Sequence, residues 1–211
     1  MPGALYLRSF VVGLFDTNCY LIADQASRDA LIIDPGDDHL VVLEAVHADR
    51  LSVQAILNTH AHADHIAANG ALKKEFGCPI MIHEADAPGL ADPEANLSGL
   101  AGYEAILSPP ADRLLVEGDD IAVGGLAFRV IHTPGHTPGG ICLLGEEFLF
   151  SGDTLFAGGI GRTDFPGGSH EQLVDSIRRK LLVLPDGTIV YPGHGPQTTI
   201  GAEKDQNPWL T

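Results

Sequence analysis

The chain has 211 residues, 45% of them hydrophobic, and a formal charge of −16 from 28 acidic against 12 basic side chains. That length and apolar share support a folded core and exclude a disordered chain. The shortage of Lys and Arg argues against nucleic acid, whose phosphates need clustered cations, and against an anionic membrane surface.

Cys19, Cys78 and Cys142 are odd in number and form no CxxC pair, so they read as small buried residues in a reducing compartment. Arg8 and Ser9 interrupt the apolar N-terminal run, and no apolar stretch reaches membrane-spanning length. We therefore expect a cytoplasmic protein without leader or membrane span. With no repeat and no linker-like tract, one domain over residues 1–211 is expected; the oligomeric state is left open.

In chain order, residues 5–12, 19–23 and 30–33 read as strands, the third broken by Asp34-Pro35-Gly36. Residues 40–48 have helical spacing, 53–57 return to strand, and 66–76 form a second helix that Gly77 and Pro79 end. A short strand is expected at 80–82. Residues 90–110 show no period and read as a long loop, either a cover for a binding site or an insertion without a role. Strands return from Arg113: 121–123, 127–131, 141–144 and 148–151. After the glycine-rich residues 157–168, Ser169 and Gln172 pair as a capping box for a helix over 170–184. A last strand at 188–191 runs into Pro192-Gly193-His194.

Four of these turns carry metal-ligand residue types. Thr59-His60-Ala61-His62-Ala63-Asp64-His65 follows a strand, and alternate residues of extended chain share a face, so His60 and His62 can grip one ion. Asp64 and His65 fall where a helix begins and can turn toward a second ion. His136, Asp153 and His194 each stand beside a glycine at a strand end. Five of the ten histidines and two aspartates gather at these turns, a thiolate-free set typical of metal sites. We assign His60, His62, His136 and Asp153 to one ion and Asp64, His65, His194 and Asp153 to the other, with Asp153 bridging. Zinc is the first expectation, with iron and manganese compatible. A water between two such ions ionises near neutral pH and attacks a carbonyl, with Asp64 as a candidate to orient it.

Asp34 is either a turn former or an outer acceptor that fixes the tautomer of a ligand histidine. His132 is either support of the same kind or a simple strand-end residue. His39, His47, His83 and His170 read as solvated or hydrogen-bonded. There is no phosphate-binding loop of the Gly-x-x-x-x-Gly-Lys type and no Gly-x-Ser-x-Gly nucleophile turn.

In their order, the Thr59–His65 segment, the His136 turn, Ser151-Gly152-Asp153 and Pro192-Gly193-His194 resemble the metallo-β-lactamase superfamily, and the likeness runs from about Asn18 to Leu210. It implies an α+β four-layer αβ/βα sandwich: two packed β-sheets flanked by helices, with the metals at one edge. Asn18-Cys19-Tyr20, Gly161-Arg162-Thr163-Asp164-Phe165 and Asn207-Pro208 in the tail look most like a compact glyoxalase II, a hydroxyacylglutathione hydrolase. That resemblance implies hydrolysis of a small-molecule thioester such as S-lactoylglutathione. The chain departs from the larger glyoxalase II enzymes in having only a short tail after His194 where they carry a helical region with basic residues. The rival enzyme is a persulfide dioxygenase of the same superfamily, with one iron on His60, His136 and Asp153. A non-catalytic metal-binding or interaction module is the alternative of another class. A secreted β-lactamase is not expected without a leader, nor a nuclease without a basic surface.

Overall fold

Alternate residues along the central strands go to two different cores, and that alternation builds the molecule. The computed structural model describes residues 4–100 and 104–210. The first sheet has the order β1 (Leu5–Val12), β2 (Thr17–Asp24), β3 (Asp29–Ile33), β4 (Ser52–Leu57), β5 (Ile80–His83), β6 (Arg113–Leu115). Its first three strands pair antiparallel and the rest parallel. The second sheet contains β7 (Asp120–Val123), β8 (Leu126–His132), β9 (Ile141–Leu144), β10 (Phe148–Gly152), β13 (Ile189–Pro192) and β14 (Thr198–Thr199), in the order β14-β13-β10-β9-β8-β7. Only β10 and β13 pair parallel there. A hairpin of β11 (Leu155–Phe156) and β12 (Gly159–Ile160) stands apart.

Tyr20, Ile22, Leu31, Ile33 and Leu57 face Phe128, Val130, Leu143 and Phe150 across the sandwich. Their neighbours Cys19, Leu21, Ile32 and Ile56 point outward to α1 (His39–Ala48), α2 (Ala63–Ile66) and α3 (Asn69–Phe76). On the far side Cys142, Leu149 and Val190 meet α4 (His170–Ser176) and α5 (Ile200–Gln206). Strands covered on both faces read as continuous apolar runs, which is why β2 is buried throughout. At roughly 1.5–3 kcal/mol for each fully buried large side chain, these three clusters hold the layers together. The result is two mixed sheets flanked by helices, the four-layer sandwich expected.

Several elements differ from expectation. The helix expected over 66–76 is two, because α2 ends at Ile66 and α3 starts at Asn69. The helix expected over 170–184 stops being regular at Ser176 and continues as a wider turn, in which Leu182 N reaches Ile177 O at 2.9 Å. Its cap holds: Ser169 Oγ accepts from Gln172 N. The glycine-rich stretch contains β12, and β14 and α5 follow the strand expected to be last. Thr199 caps α5 by accepting from Ala202 N. The three cysteines are buried free thiols, and burial pushes the pKa of Cys142 up to about 11. Among the described residues, no helix is long and apolar enough to cross a membrane.

Candidate metal centre

Strand register brings the candidate ligands to one edge. β3 and β4 run parallel with Ile33 opposite Leu57, so Asp34 emerges beside Thr59 and His60. β10 and β13 run parallel with Gly152 opposite Pro192, so Asp153 emerges beside His194. β8 is antiparallel to β9, which is antiparallel to β10, so the His136 turn leaves the second sheet at the same edge. Asn18 and Tyr20 of β2 cross from the other sheet to hold the His194 turn. Asn18 Nδ2 donates to Pro192 O (3.0 Å) and Gly195 O (2.9 Å), and Tyr20 Oη donates to Pro192 O (2.6 Å). Gly193 is required there, since a Cβ would lie 2.2 Å from Asp153 Oδ1.

All seven predicted residues come together. His136 Nε2 lies 2.9 Å from His62 Nδ1 and 3.3 Å from His60 Nε2. His65 Nε2 lies 3.4 Å from His194 Nε2, 3.5 Å from Asp64 Oδ2 and 3.4 Å from Asp153 Oδ1. Asp153 Oδ2 is 3.6 Å from His136 Nε2 and 3.5 Å from His194 Nε2, so this carboxylate stands between the two groups.

The outer nitrogens of four rings settle which face of each is protonated. His136 Nδ1 donates to Arg162 O (2.7 Å), His194 Nδ1 to Phe15 O (3.0 Å) and His65 Nδ1 to Asp34 Oδ2 (3.0 Å). Thr59 Oγ1 donates to Asp34 Oδ2 (2.6 Å), which leaves its lone pairs to accept from His60 Nδ1 at 3.1 Å. Each neutral imidazole has one N–H, so in the neutral form these four rings turn bare Nε2 lone pairs inward. Asp153 Oδ1 is buried with no hydrogen-bond partner among the described residues. Converging lone pairs and an orphaned carboxylate oxygen repel one another unless cations sit among them. The donor set therefore fits divalent metal ions of the N/O-binding kind.

The electrostatics agree. Burial, with His65, His62 and His136 nearby, drives His60 well below its ordinary pKa, and burial with His136 takes His62 down to about 3. Both stay neutral donors. Burial opposes charge on His65 and His194 too. There the carboxylates of Asp64 and Asp153 outweigh it and lift them to about 9 and about 11. Burial likewise opposes charge on Asp64, yet His65 and His194 hold it at about 2. This half of the site calls for positive charge.

The structure also places the two outer candidates. Asp34, with φ +50°, both makes the turn and binds: Oδ1 accepts from Thr59 N (2.7 Å) and Oδ2 from Thr59 and His65. His132 stacks on His83 at 4.0 Å and bonds Pro138 O, so its link to the site runs through the backbone of the His136 turn.

Asp86 was not singled out from sequence. It is buried and accepts from Ala61 N (3.2 Å), Thr137 Oγ1 (2.7 Å) and Gly139 N (2.6 Å), tying the His60–His62 segment to the His136 turn. An aspartate before Pro88-Gly89 looks like any turn residue, so nothing local marks it. Asp86→Ala is expected to cost about 3 kcal/mol by stranding these donors, read as a lower urea midpoint. An unchanged midpoint would contradict this role.

Beside the cluster opens a cavity of about 460 Å3, lined by His62, Asp64, His136, Asp153 and His194 on its floor and by Phe15, Leu97, Leu100, Phe156, Ile160 and Phe165 on its walls. Asn96, Leu97 and Leu100, from the loop over 90–110, supply part of the cavity wall. The loop is anchored where Ala63 N, at the start of α2, donates to Asn96 O (2.8 Å).

Facing sheets with a His/Asp cluster at their strand ends define a sandwich built around a metal site. Residues 12–194 match the profile of the metallo-beta-lactamase superfamily, and the chain belongs to that superfamily, whose members are mostly metal-dependent hydrolases. It is 42% identical to hydroxyacylglutathione hydrolase GloC of Haemophilus influenzae, over 94% of this chain and 95% of that one. Among solved structures it resembles BLEG-1 B3 metallo-beta-lactamase (42% identity, TM-score 0.92, 98% and 100% of the chains covered). It also resembles TTHA1623 in a di-iron-bound form (36%, 0.87, 96% and 100%) and ETHE1 from Myxococcus xanthus (36%, 0.80, 96% and 83%).

Proposed function

We propose that the protein is a metal-dependent hydrolase of small-molecule thioesters, S-acylglutathiones or related compounds. The observation that carries this reading is a second donor group, Asp64, His65 and His194, beside His60, His62 and His136, with Asp153 within reach of both. A site for one ion needs only one of these groups. His60, His62, His136 and Asp153 would hold one divalent ion and Asp64, His65, His194 and Asp153 the other. Zinc suits these donors, as do iron and manganese. When bound, such ions polarise a carbonyl and bring a water to ionise near neutral pH.

The chain's own side chains do the rest. Asp34, Thr59 and the carbonyls of Arg162 and Phe15 hold four imidazoles with their lone pairs inward. Asp64, whose Oδ2 accepts from Thr17 Oγ1 at 3.1 Å, lines the cavity and is placed to orient the attacking water. The likeness to GloC supports a glyoxalase II-like branch, as do the places of Asn18, Tyr20 and Arg162 around the His194 and His136 turns. The net charge of −16 supports a small-molecule partner over nucleic acid or membrane.

The second reading is a persulfide dioxygenase with one iron on His60, His136 and Asp153, favoured by the Gly161–Phe165 segment against that group. Elemental analysis paired with two assays separates them. We expect two metal ions per chain, hydrolysis of a thioester, and loss of that activity on chelation with recovery on metal return. One iron per chain with persulfide-dependent oxygen uptake would establish the rival.

A further inference from the structure

Glu203 of α5 is a buried carboxylate that the chemistry described above does not use. Its Oε2 accepts from Gly158 N (2.9 Å) and Asn207 Nδ2 (2.7 Å), and its Oε1 accepts from Thr198 Oγ1 (2.6 Å). Asn207, fully buried, also donates from Nδ2 to Gly159 O (3.1 Å), and its Oδ1 accepts from Trp209 N (3.0 Å). Both side chains therefore end on Gly158 and Gly159, at the tip of the β11–β12 hairpin.

That hairpin has little of its own to hold it. Each strand has two residues, and Phe156 pairs with Gly159, leaving Ala157-Gly158 as the turn. Two-residue turns that follow the twist of their strands have a positive φ at the first position. Here Gly158 has one, at +69°, and Ala157 does not. A hairpin this short is marginal without outside support. At its base the support is the ligand strand, since a Cβ on Gly161 would lie 1.9 Å from Asp153 O. At its tip the support is Glu203 and Asn207. Between the two ends stand Ile160 and Phe156, both lining the cavity, with Phe156 edge-on to the His194 ring at 6.1 Å.

We infer that Glu203 and Asn207 are positioning residues that set substrate affinity by holding Phe156 and Ile160 in the cavity wall. The inference rests on reading the site as a thioesterase. The metal ligands do not depend on this hold. His194 has its own, through Phe15 O and through Asn18 and Tyr20 on the Pro192 carbonyl, and Asp153 lies at the hairpin's fixed base. Releasing the tip therefore displaces the wall and leaves the centre in place. A wall contacts bound substrate and transition state alike, so its loss appears in KM and spares kcat.

The test uses the metal-loaded full chain and S-lactoylglutathione. Glu203→Ala frees the tip and is expected to raise KM by about tenfold, with kcat within about threefold of the parent and metal content unchanged. Glu203→Gln should match the parent. Its oxygen can accept from Gly158 and Asn207, and its amide can donate to Thr198 Oγ1, because a hydroxyl serves either way. Thr198→Val is the control for stability alone: it strands one oxygen of Glu203 and lowers the urea midpoint, yet keeps both bonds to the tip and should keep KM. An unchanged KM in Glu203→Ala, or an equal rise in Thr198→Val, overturns the inference. Asn207→Ala, which removes the bond to Gly159, carries the same expectation if Glu203→Ala does not fold. If the parent turns over no thioester, the proposed function fails and the hold on the hairpin is still testable. Hydrogen exchange over residues 155–161 should then quicken by about tenfold in Glu203→Ala and not in Glu203→Gln. Equal exchange in parent and both variants overturns the inference.

Discussion

Asp153→Asn is expected to lower thioester hydrolysis by about 10³-fold or more and to weaken binding of both metal ions. Asp153 leaves β10 at Gly152 and reaches His65 with one oxygen and His136 and His194 with the other. It is thus the carboxylate within reach of both donor groups. Burial opposes its charge, yet His65 and His194 hold it well below the ordinary carboxylate range, so the site is built around an ionised group there. Asparagine keeps the shape and removes that charge, leaving Asp64 as the single carboxylate among the seven candidate ligands. Metal content by elemental analysis and kcat/KM after metal loading read the effect. A variant that keeps full metal content and activity within tenfold of the parent would remove Asp153 from the centre.

The candidate ligands were legible in sequence because each lies at a strand end beside Gly, Pro or another ligand, a local pattern that packing does not require. β1 was legible because Leu5–Val12 is a run rich in β-favouring residues. The order of the strands was not. It depends on parallel pairings such as β10 with β13, made across some forty residues; the family resemblance implied two packed sheets but no order of strands. The same distance hid the supports. Asp86 meets Gly139 across 53 positions, and Glu203 of α5 accepts from Gly158 N across 45. That second bond, with Asn207 Nδ2 donating to Gly159 O (3.1 Å), fixes the β11–β12 hairpin whose Phe156 and Ile160 wall the cavity. The tail after His194 thus braces the pocket rather than supplying basic residues to it. Leu97, with a φ of +63°, was invisible for another reason: no sequence period records a positive φ.

The most discriminating test of how the centre is organised lies one step behind the ligands, at Asp34. Its two oxygens accept three bonds: Oδ1 from Thr59 N, Oδ2 from Thr59 Oγ1 and His65 Nδ1. Asparagine offers one acceptor and one donor in the same space, so no orientation serves all three. With its amide toward His65, that ring must accept at Nδ1 and carry its proton on Nε2, where a ligand lone pair is needed. Thr59 must then turn its hydroxyl to His60 Nδ1, which drives the His60 proton to Nε2 as well. With its amide toward Thr59 N, two donors face each other in a buried site. Either way the cost falls on the metal centre, and Asp34→Asn is expected to weaken metal binding by about 10–100-fold, measured against a competing chelator. Thr59→Val keeps the shape, removes only the hydroxyl relay and leaves the His65 bond intact, so it should weaken the ion near His60 and spare the other. Equal affinity for both ions in both variants would show that the tautomers are set elsewhere.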